Sequence, residues 1–325
     1  MTKILSPDLT TPDTAEASTA AKARRTRKSR PVSTHGSERN RRPVLTVILG
    51  VVAVLWLLPM FGLLVTSFRT TTDAQSTGWW TVFANLAKTP WTIANYSDAL
   101  SGSGSGTGQS LGSEFLNSIA VAVPATVLPL MFAAFAAYAF TFFEFRGKEA
   151  YFAMIIGLLV VPVQISLIPV LQVYKAITSF TGIQITGTFP AAWIVHASFA
   201  LPLCIFILRN FMSTLPNALI EAARVDGASH FQIFWRLVIP MSIPALASFA
   251  IFQFMWVWND YLVAYIFIGN ANPVLQQGLL GLLGQYNQGW NLVAAGSFIV
   301  VIVPLIVFLS LQRYFVRGLT AGAVK

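Results

Sequence analysis

Six apolar runs, each long enough to cross a lipid bilayer, limit the folds open to this chain more than any other feature of its sequence. A helix needs about 20 consecutive apolar residues to cross the roughly 30 Å of hydrocarbon in a bilayer. The runs cover roughly residues 44–67, 114–142, 150–174, 189–211, 241–268 and 291–313. Because backbone groups in lipid must hydrogen bond within the chain, runs of this length fold as helices. The sequence therefore predicts an all-α integral membrane bundle of six transmembrane helices.

The composition excludes a soluble enzyme. Only 10% of the 325 residues are charged and 55% are apolar, whereas about a quarter of an ordinary soluble domain is charged. A single cysteine, Cys204, excludes a disulfide framework and a cysteine-based zinc site. The sequence contains neither the GxxxxGK[ST] phosphate loop nor the HExxH metal motif. We therefore expect no catalytic residues, no metal, no cofactor and no enzymatic activity in this chain.

The first 43 residues differ from the rest, because they are polar and hold ten of the 21 Lys and Arg residues. A segment of this kind cannot bury a core, so we predict a disordered basic arm at 1–43 followed by a transmembrane domain at 44–325. The arm is not expected to bind nucleic acid, because no folded reading element accompanies it. Anionic membrane lipid is the partner that its charge favours.

The distribution of charge predicts the orientation of the chain in the membrane. With a cytoplasmic N-terminus, eighteen of the 21 Lys and Arg residues lie on the inner side, and only Arg69, Lys88 and Lys175 lie outside. The positive-inside rule then places both termini in the cytoplasm. The outer segment 269–290 is rich in glycine. It either enters a partner's cleft or forms a short re-entrant turn that closes the bundle.

A few polar residues inside the runs are candidates for contact with a transported solute. Gln253, Trp256, Asn259 and Asp260 on the fifth run, with Gln164 on the third, form the predicted substrate path. Aromatic faces and neutral hydrogen-bonding groups suit a sugar. The alternative is that these side chains only pack and bond between helices.

His196, in the fourth run, has two possible roles. An ionisable residue within a membrane span is a functional candidate by default, but a histidine bonded across helices would look the same in the sequence. Ion coupling usually needs several buried carboxylates. Asp260 is the one acidic residue well inside a predicted run, so an ion-driven mechanism is disfavoured.

Residues 215–244, between the fourth and fifth runs, predict two helices joined by a sharp turn. Pro216 suits the first position of the first helix. Gly227 suits the left-handed residue that ends it. Ser229 can cap the second helix, which continues into the fifth run. Glu221 and Arg224 are three residues apart in the first helix and could form a weak ion pair.

The string E-A-A-x-x-D-G-A in this segment resembles the EAA signature of the membrane subunits of ABC importers. The matching residues are Glu221, Ala222, Ala223, Asp226, Gly227 and Ala228. The resemblance implies that they form the coupling helix, which docks on an ATP-binding subunit. The stretch WNDYLVA at 258–264 and the C-terminal QRYFVRGLTAGAVK look like the second permease subunit of maltose-type carbohydrate importers.

This resemblance implies the fold of a type I ABC importer permease in a prokaryotic plasma membrane. Its expected partners are a second permease subunit, two ATP-binding subunits and an extracytoplasmic sugar-binding protein. Its tail, 320–325, is expected to reach between the ATP-binding subunits. The implied function is ATP-driven uptake of a neutral sugar, of oligosaccharide, α-glucoside or glucose type. Another solute such as glycerol phosphate, or a self-sufficient secondary transporter, remains the alternative.

Overall fold

The computed structural model of the protein describes residues 43–84, 86–103, 110–283 and 289–321. The predicted arm lies outside these residues except for Pro43, and so does most of the predicted docking tail. The chain divides into two compact units, residues 1–58 and 59–325. The described part of the first unit is a helical stretch whose apolar side chains, such as Trp56, are exposed.

Within the described ranges the protein is helical and has no β-strand, which confirms the all-α prediction. The helices are α1 (Pro43–Ser67), α2 (Thr71–Ser76), α3 (Ala94–Ser101), α4 (Leu111–Phe142), α5 (Lys148–Gly157), α6 (Val163–Thr181), α7 (Phe189–Met212), α8 (Asn217–Val225), α9 (His230–Ile233), α10 (Ile239–Trp258), α11 (Leu262–Phe267), α12 (Leu275–Gly281) and α13 (Trp290–Ala321). Short 3-10 helices cover Trp79–Ala84 and Leu158–Val160. A π-helix at Phe234–Val238 joins α9 to α10.

Six of the described helical stretches are long and apolar enough to cross a membrane, as the sequence predicts. They are Leu45–Ser67, Leu111–Phe142, Val163–Thr181, Phe189–Met212, His230–Trp258 and Trp290–Ser310. The second begins earlier than predicted because the side chain of Ser110 accepts the N–H of Ser113 and caps it. The first, fourth and sixth candidate spans, in contrast, begin close to the residues at which the sequence predicts them to begin.

The third run is not the single span predicted at 150–174. Helix α5 and the following 3-10 turn end before Pro162, which lacks a backbone donor and has an extended conformation (φ −68°, ψ 131°). The span proper begins at Val163 and continues to Thr181. Lys175, predicted to lie outside the membrane, is therefore part of α6.

The fifth run also differs from its prediction at 241–268. The span begins at His230, passes through the π-helix and ends at Trp258. Asp260 then accepts the backbone N–H groups of Val263 and Ala264 at 2.9 and 3.2 Å, which starts α11 as a separate helix. Asn259 and Asp260, predicted inside the span, thus lie in a break beyond its end.

The second unit is built around α4 and α7, which form its most extensive pair among the described helices. Small residues such as Ala133 and Ala137 of α4 and Cys204 of α7 are fully buried in one cluster. Small side chains let helices approach closely in a membrane. Trp193 of α7 donates its indole N–H to the backbone oxygen of Ala120 at 2.8 Å. Cys204 therefore serves as a packing residue.

A buried amide network connects the end of α1 with α2, α3 and α13. The Nδ2 of Asn95 donates to the backbone oxygens of Ser67 and Arg69, each at 2.8 Å. Asn291 donates to Asn95 Oδ1 at 2.7 Å and to Thr71 Oγ1 at 3.1 Å. One side chain, Asn95, thus bonds to the end of α1, to the segment that follows α1 and to α13.

We predict that Asn95→Leu destabilises the protein. Leucine has a similar volume but leaves the Asn291 amide and two backbone oxygens without their partner, and each unsatisfied buried group costs about 1–3 kcal/mol. The control is Asn210→Leu, because Asn210 is exposed. Thermal unfolding in mild detergent should show a midpoint several degrees lower for Asn95→Leu alone. Equal midpoints for the two variants would contradict the prediction.

Candidate functional site

The turn after α8 has the geometry predicted from its sequence. Gly227 has a left-handed backbone with φ +81°. Its N–H donates to the oxygen of Arg224 at 3.0 Å, and the N–H of Ala228 donates to the oxygen of Ala223 at 2.9 Å. These two bonds define a Schellman motif, which ends a helix and reverses the chain. The prediction for Gly227 is confirmed.

The second helix of the pair begins with a capping box. The Oγ of Ser229 accepts the N–H of Gln232 at 3.3 Å, and the side chain of Gln232 accepts the N–H of Ser229 at 2.8 Å. The prediction that Ser229 caps this helix is therefore confirmed. Pro216, in contrast, is the N-cap of α8 rather than its first helical residue.

Helix α8 and the turn that joins it to α9, residues 217–229, are called the coupling turn below. The residues of the EAA motif are divided between two faces of this coupling turn. Glu221, Ala222, Asp226 and Gly227 are exposed, whereas Ala223 and Ala228 are half-buried. The fully buried neighbour Ile220 packs into the same cluster as these two alanines. Among the described residues Glu221 and Arg224 form no ion pair, so the predicted pair is absent.

Helix α8 has an exposed apolar stripe that the EAA motif does not predict. Leu219, Ala222 and Val225 follow one another at intervals of three residues, and the side chain of Val225 is 88% exposed. Three-residue spacing places them on one side of the helix. Counting helical positions rather than matching the motif would have found them.

Tyr138 of α4 attaches the coupling turn to the second span. Its hydroxyl donates to the backbone oxygen of His230 at 3.3 Å and lies 3.1 Å from His230 Nδ1. The ring of Phe143 lies edge-on to the His230 ring, with centroids 4.6 Å apart. Beyond His230 the helix continues without a break through the π-helix into α10. The turn is thus in contact with one span and continuous with another.

A cavity of about 440 Å³ lies between α6, α7, α10 and the start of α11. Its polar lining residues are Ser166, His196, Ser198 and Gln253. The half-exposed ring of Trp256 also faces it. No Lys, Arg, Asp or Glu lines it among the described residues. Such a cavity can hold a neutral, hydrogen-bonding molecule.

The structure brings together two of the five residues of the predicted substrate path. Gln253 and Trp256 line the cavity, whereas Gln164, Asn259 and Asp260 do not. Gln253 is buried and donates to the backbone oxygen of Ala125 at 3.4 Å. Gln164 is exposed, and Asn259, which lies just beyond the end of α10, donates to the oxygen of Met255 in that helix.

His196 lines the cavity but has no hydrogen-bond partner on Nε2 within the described residues. Its residue exposure is only 5%. Asp260 Oδ2 lies 3.8 Å from Nε2, which is too long for a hydrogen bond. A bond across helices therefore does not account for this nitrogen.

The described part of the outer segment 269–290 packs against α4. Asn117 donates to the oxygen of Pro273 at 2.9 Å, and Ser118 Oγ accepts the N–H of Leu275 at 2.8 Å. Leu275 and Gly278 of α12 are buried. This packing agrees with the re-entrant interpretation for α12. The part of this segment at 284–288 lies outside the described residues, so entry into a partner's cleft stays a prediction.

Comparisons with known proteins are consistent with this geometry. A family model described as "Binding-protein-dependent transport system inner membrane component" matches residues 113–321. This region includes the coupling turn and every cavity-lining residue named above.

Two curated relatives share half of their aligned residues with this chain. The osmoprotective compounds uptake permease protein GgtD of Synechocystis sp. is 50% identical over 287 residues, 87% of this chain and 92% of the relative. The alpha-glucoside transport system permease protein AglG of Rhizobium meliloti is 50% identical over 243 residues, 74% of this chain and 62% of the relative.

A solved structure has a similar fold. It is a chain of a bacterial ABC transporter involved in the import of the acidic polysaccharide alginate, with a TM-score of 0.64 and 22% identity. The match covers 84% of this chain and 95% of that chain. At this identity the match supports the fold alone.

We predict that Gly278→Ala destabilises the packing of α12 against α4. A Cβ at Gly278 would collide with the buried carboxyl group of Glu114, and overpacking of this kind costs about 1–3 kcal/mol. Gly157→Ala is the control, because a Cβ there meets nothing within 4 Å. Thermal unfolding in detergent should separate the two variants, with the lower midpoint for Gly278→Ala. A midpoint as high as that of Gly157→Ala would refute the predicted clash.

Proposed function

We propose that this chain, which belongs to the inner membrane components of binding-protein-dependent transport systems, is a permease subunit of a carbohydrate ABC importer. As a member of this family with six candidate spans, it is a multi-pass inner membrane protein. The observation that carries the proposal is the coupling turn, which exposes Glu221, Asp226 and Gly227 and continues directly into the fifth span. That arrangement lets a soluble partner push or pull on a transmembrane helix.

The proposed solute is a neutral sugar, with an α-glucoside as the favoured class. The cavity offers Trp256 as a face for a sugar ring and Gln253 and Ser166 for its hydroxyls. Its described lining lacks basic residues, which disfavours an anion such as glycerol phosphate. The name of the Rhizobium meliloti relative, an alpha-glucoside permease, agrees with this choice.

The proposed partners follow from the surfaces of the chain and from the family. ATP-binding subunits would dock on α8, where the exposed stripe of Leu219, Ala222 and Val225 offers an apolar contact beside Glu221 and Asp226. A second permease subunit would complete the pathway, and an extracytoplasmic binding protein would deliver the sugar. Both termini would face the cytoplasm, as the charge distribution favours.

The proposed mechanism is alternating access driven by the partner subunits. Closure of the ATP-binding subunits would move the coupling turn, and the continuous helix from His230 to Trp258 would carry that motion to the cavity. Gln253 and Trp256 lie on this helix, so their positions would change with the nucleotide state. Sugar and nucleotide shift the equilibrium only by binding one state more tightly. This chain itself makes and breaks no covalent bond.

Purification of the tagged chain from its native host tests the proposal. Mild detergent extraction followed by mass spectrometry should recover a second permease and an ATP-binding subunit with it. The recovered complex in liposomes should take up a radiolabelled α-glucoside when the binding protein and ATP are present. A complex of this chain alone that transports without ATP would contradict the proposal and favour a secondary transporter.

We predict that Gly227→Val lowers sugar uptake by about tenfold, because a left-handed backbone costs an L-residue about 1–2 kcal/mol and the turn would change shape. Gly182→Val is the control: Gly182 is also left-handed, with φ +73°, and also has open space around it, but it ends α6, away from the turn. Uptake by cells that carry equal membrane amounts of each variant measures the difference. Similar uptake by the two variants would refute a special role for the turn.

We predict that Glu221→Lys uncouples the importer or releases the ATP-binding subunits, because the exposed carboxylate is expected to face a basic group on that subunit. Glu144→Lys makes the same charge change at another exposed site. Among the residues that the structure describes, the ion pair lost there is the surface pair with Lys148, and such a pair is worth about 1 kcal/mol or less. Co-purification and sugar-stimulated ATP hydrolysis are the measurements. An intact, normally stimulated Glu221→Lys complex would count against docking at this helix.

A further inference from the structure

The cavity contains a buried polar atom that the protein does not satisfy. The Nε2 of His196 has no hydrogen-bond partner among the described residues, although its residue is only 5% exposed. A buried polar group without a partner costs about 1–3 kcal/mol. Most buried polar groups in natural proteins have a hydrogen-bond partner, and a bound molecule is one explanation for a group that has none within the protein.

The groups around His196 explain why no described protein atom hydrogen bonds to its Nε2. Asp260 Oδ2 lies 3.8 Å from Nε2 and accepts the N–H groups of Val263 and Ala264. The neighbouring buried residues on α7, Val195, Ala197 and Ala200, have no side-chain polar group to offer. His196 is one of the residues that line the cavity, so a molecule bound there is a candidate partner for this nitrogen.

His196 shares this cavity with groups from two other helices. Gln253 and Trp256 come from α10, and Ser166 comes from α6. The cavity volume of about 440 Å³ falls in the range of about 300–1,000 Å³ that is typical of small-molecule sites. Three helices therefore contribute hydrogen-bonding or aromatic groups to one space that has no charged lining residue among the described ones.

We propose that His196 is a specificity-determining residue whose Nε2 hydrogen bonds to one hydroxyl of a neutral sugar in this cavity, beside Gln253 and Trp256. The proposal rests on the proposed function, and it adds a residue on the fourth span that neither the motif nor the predicted path contains. The ring would select sugars that carry a hydroxyl at one particular position.

The test compares His196→Leu with His196→Gln in cells whose own copy of this gene is deleted. Leucine fills a similar volume without a polar group, whereas the amide nitrogen of glutamine can replace Nε2. Uptake is measured with radiolabelled methyl α-glucoside, with trehalose, and with a set of monodeoxy methyl α-glucosides that each lack one hydroxyl. Membrane amounts and sugar-stimulated ATP hydrolysis of the purified complexes are measured in parallel.

His196→Leu should reduce uptake of the parent sugar by about tenfold, in line with the loss of one hydrogen bond inside a dry site. His196→Gln should retain most of the uptake. One deoxy sugar should be transported poorly by the wild type, while His196→Leu should carry it as well as it carries the parent sugar. This loss of discrimination at a single hydroxyl is not expected from a change in packing.

The other outcomes separate this inference from the proposed function. If wild-type cells take up none of these sugars, the sugar class of the proposed function fails. If the wild type transports them and His196→Leu gives the same rates and the same ranking of deoxy sugars, the role of His196 is refuted. If His196→Leu fails to assemble, His196→Phe, which keeps an aromatic ring without a polar atom, takes its place. A ranking identical to that of the wild type would then overturn the proposal, and a changed ranking at one hydroxyl would support it.

Discussion

The need to satisfy every backbone polar group within the membrane governs this structure. A span can stop only where other groups replace the lost helical bonds or where the chain borders a cavity. Pro162 ends the first half of the third run, and the residues around it, Val161 and Val163, line the cavity. The break after Trp258 is stabilised by Asp260, whose carboxylate accepts two N–H groups of the next helix. Residues on both sides of each interruption thus line the same cavity.

The helix that begins at His230 connects the two functional regions. Its first turn is held by the Ser229 capping box and by the hydroxyl of Tyr138. Its C-terminal half carries Gln253 and Trp256, which line the cavity. A displacement at the coupling turn and a rearrangement of the cavity are therefore movements of one element. In the proposed function, this arrangement would let the motion of an ATP-binding partner at the coupling turn reach the cavity.

Much of the coupling turn could be predicted because its geometry depends on residues close together in the sequence. Gly227 is the residue that accepts a left-handed backbone most readily, and Ser229 with Gln232 forms a cap whatever surrounds it. The positions of the five residues of the predicted substrate path were predicted less well. Helical spacing placed Gln253 and Trp256 together correctly, but it also extended the fifth span through Asn259 and Asp260. The break that separates these residues depends on the capping carboxylate of Asp260, which a hydropathy pattern does not reveal.

The sequence by itself determined the all-α class, the number of candidate spans and the shape of the coupling turn. Each of these follows from local rules: the length of apolar runs, the conformational freedom of glycine and the capping of helix ends. Only the tertiary structure decided where the third and fifth runs break and which side chains share the cavity. His196, Ser166 and Gln253 come from three helices that are distant in sequence, so their common site depends on how those helices pack. The unpartnered nitrogen of His196 is likewise a property of its packed surroundings, since the sequence cannot reveal which neighbours fail to reach it.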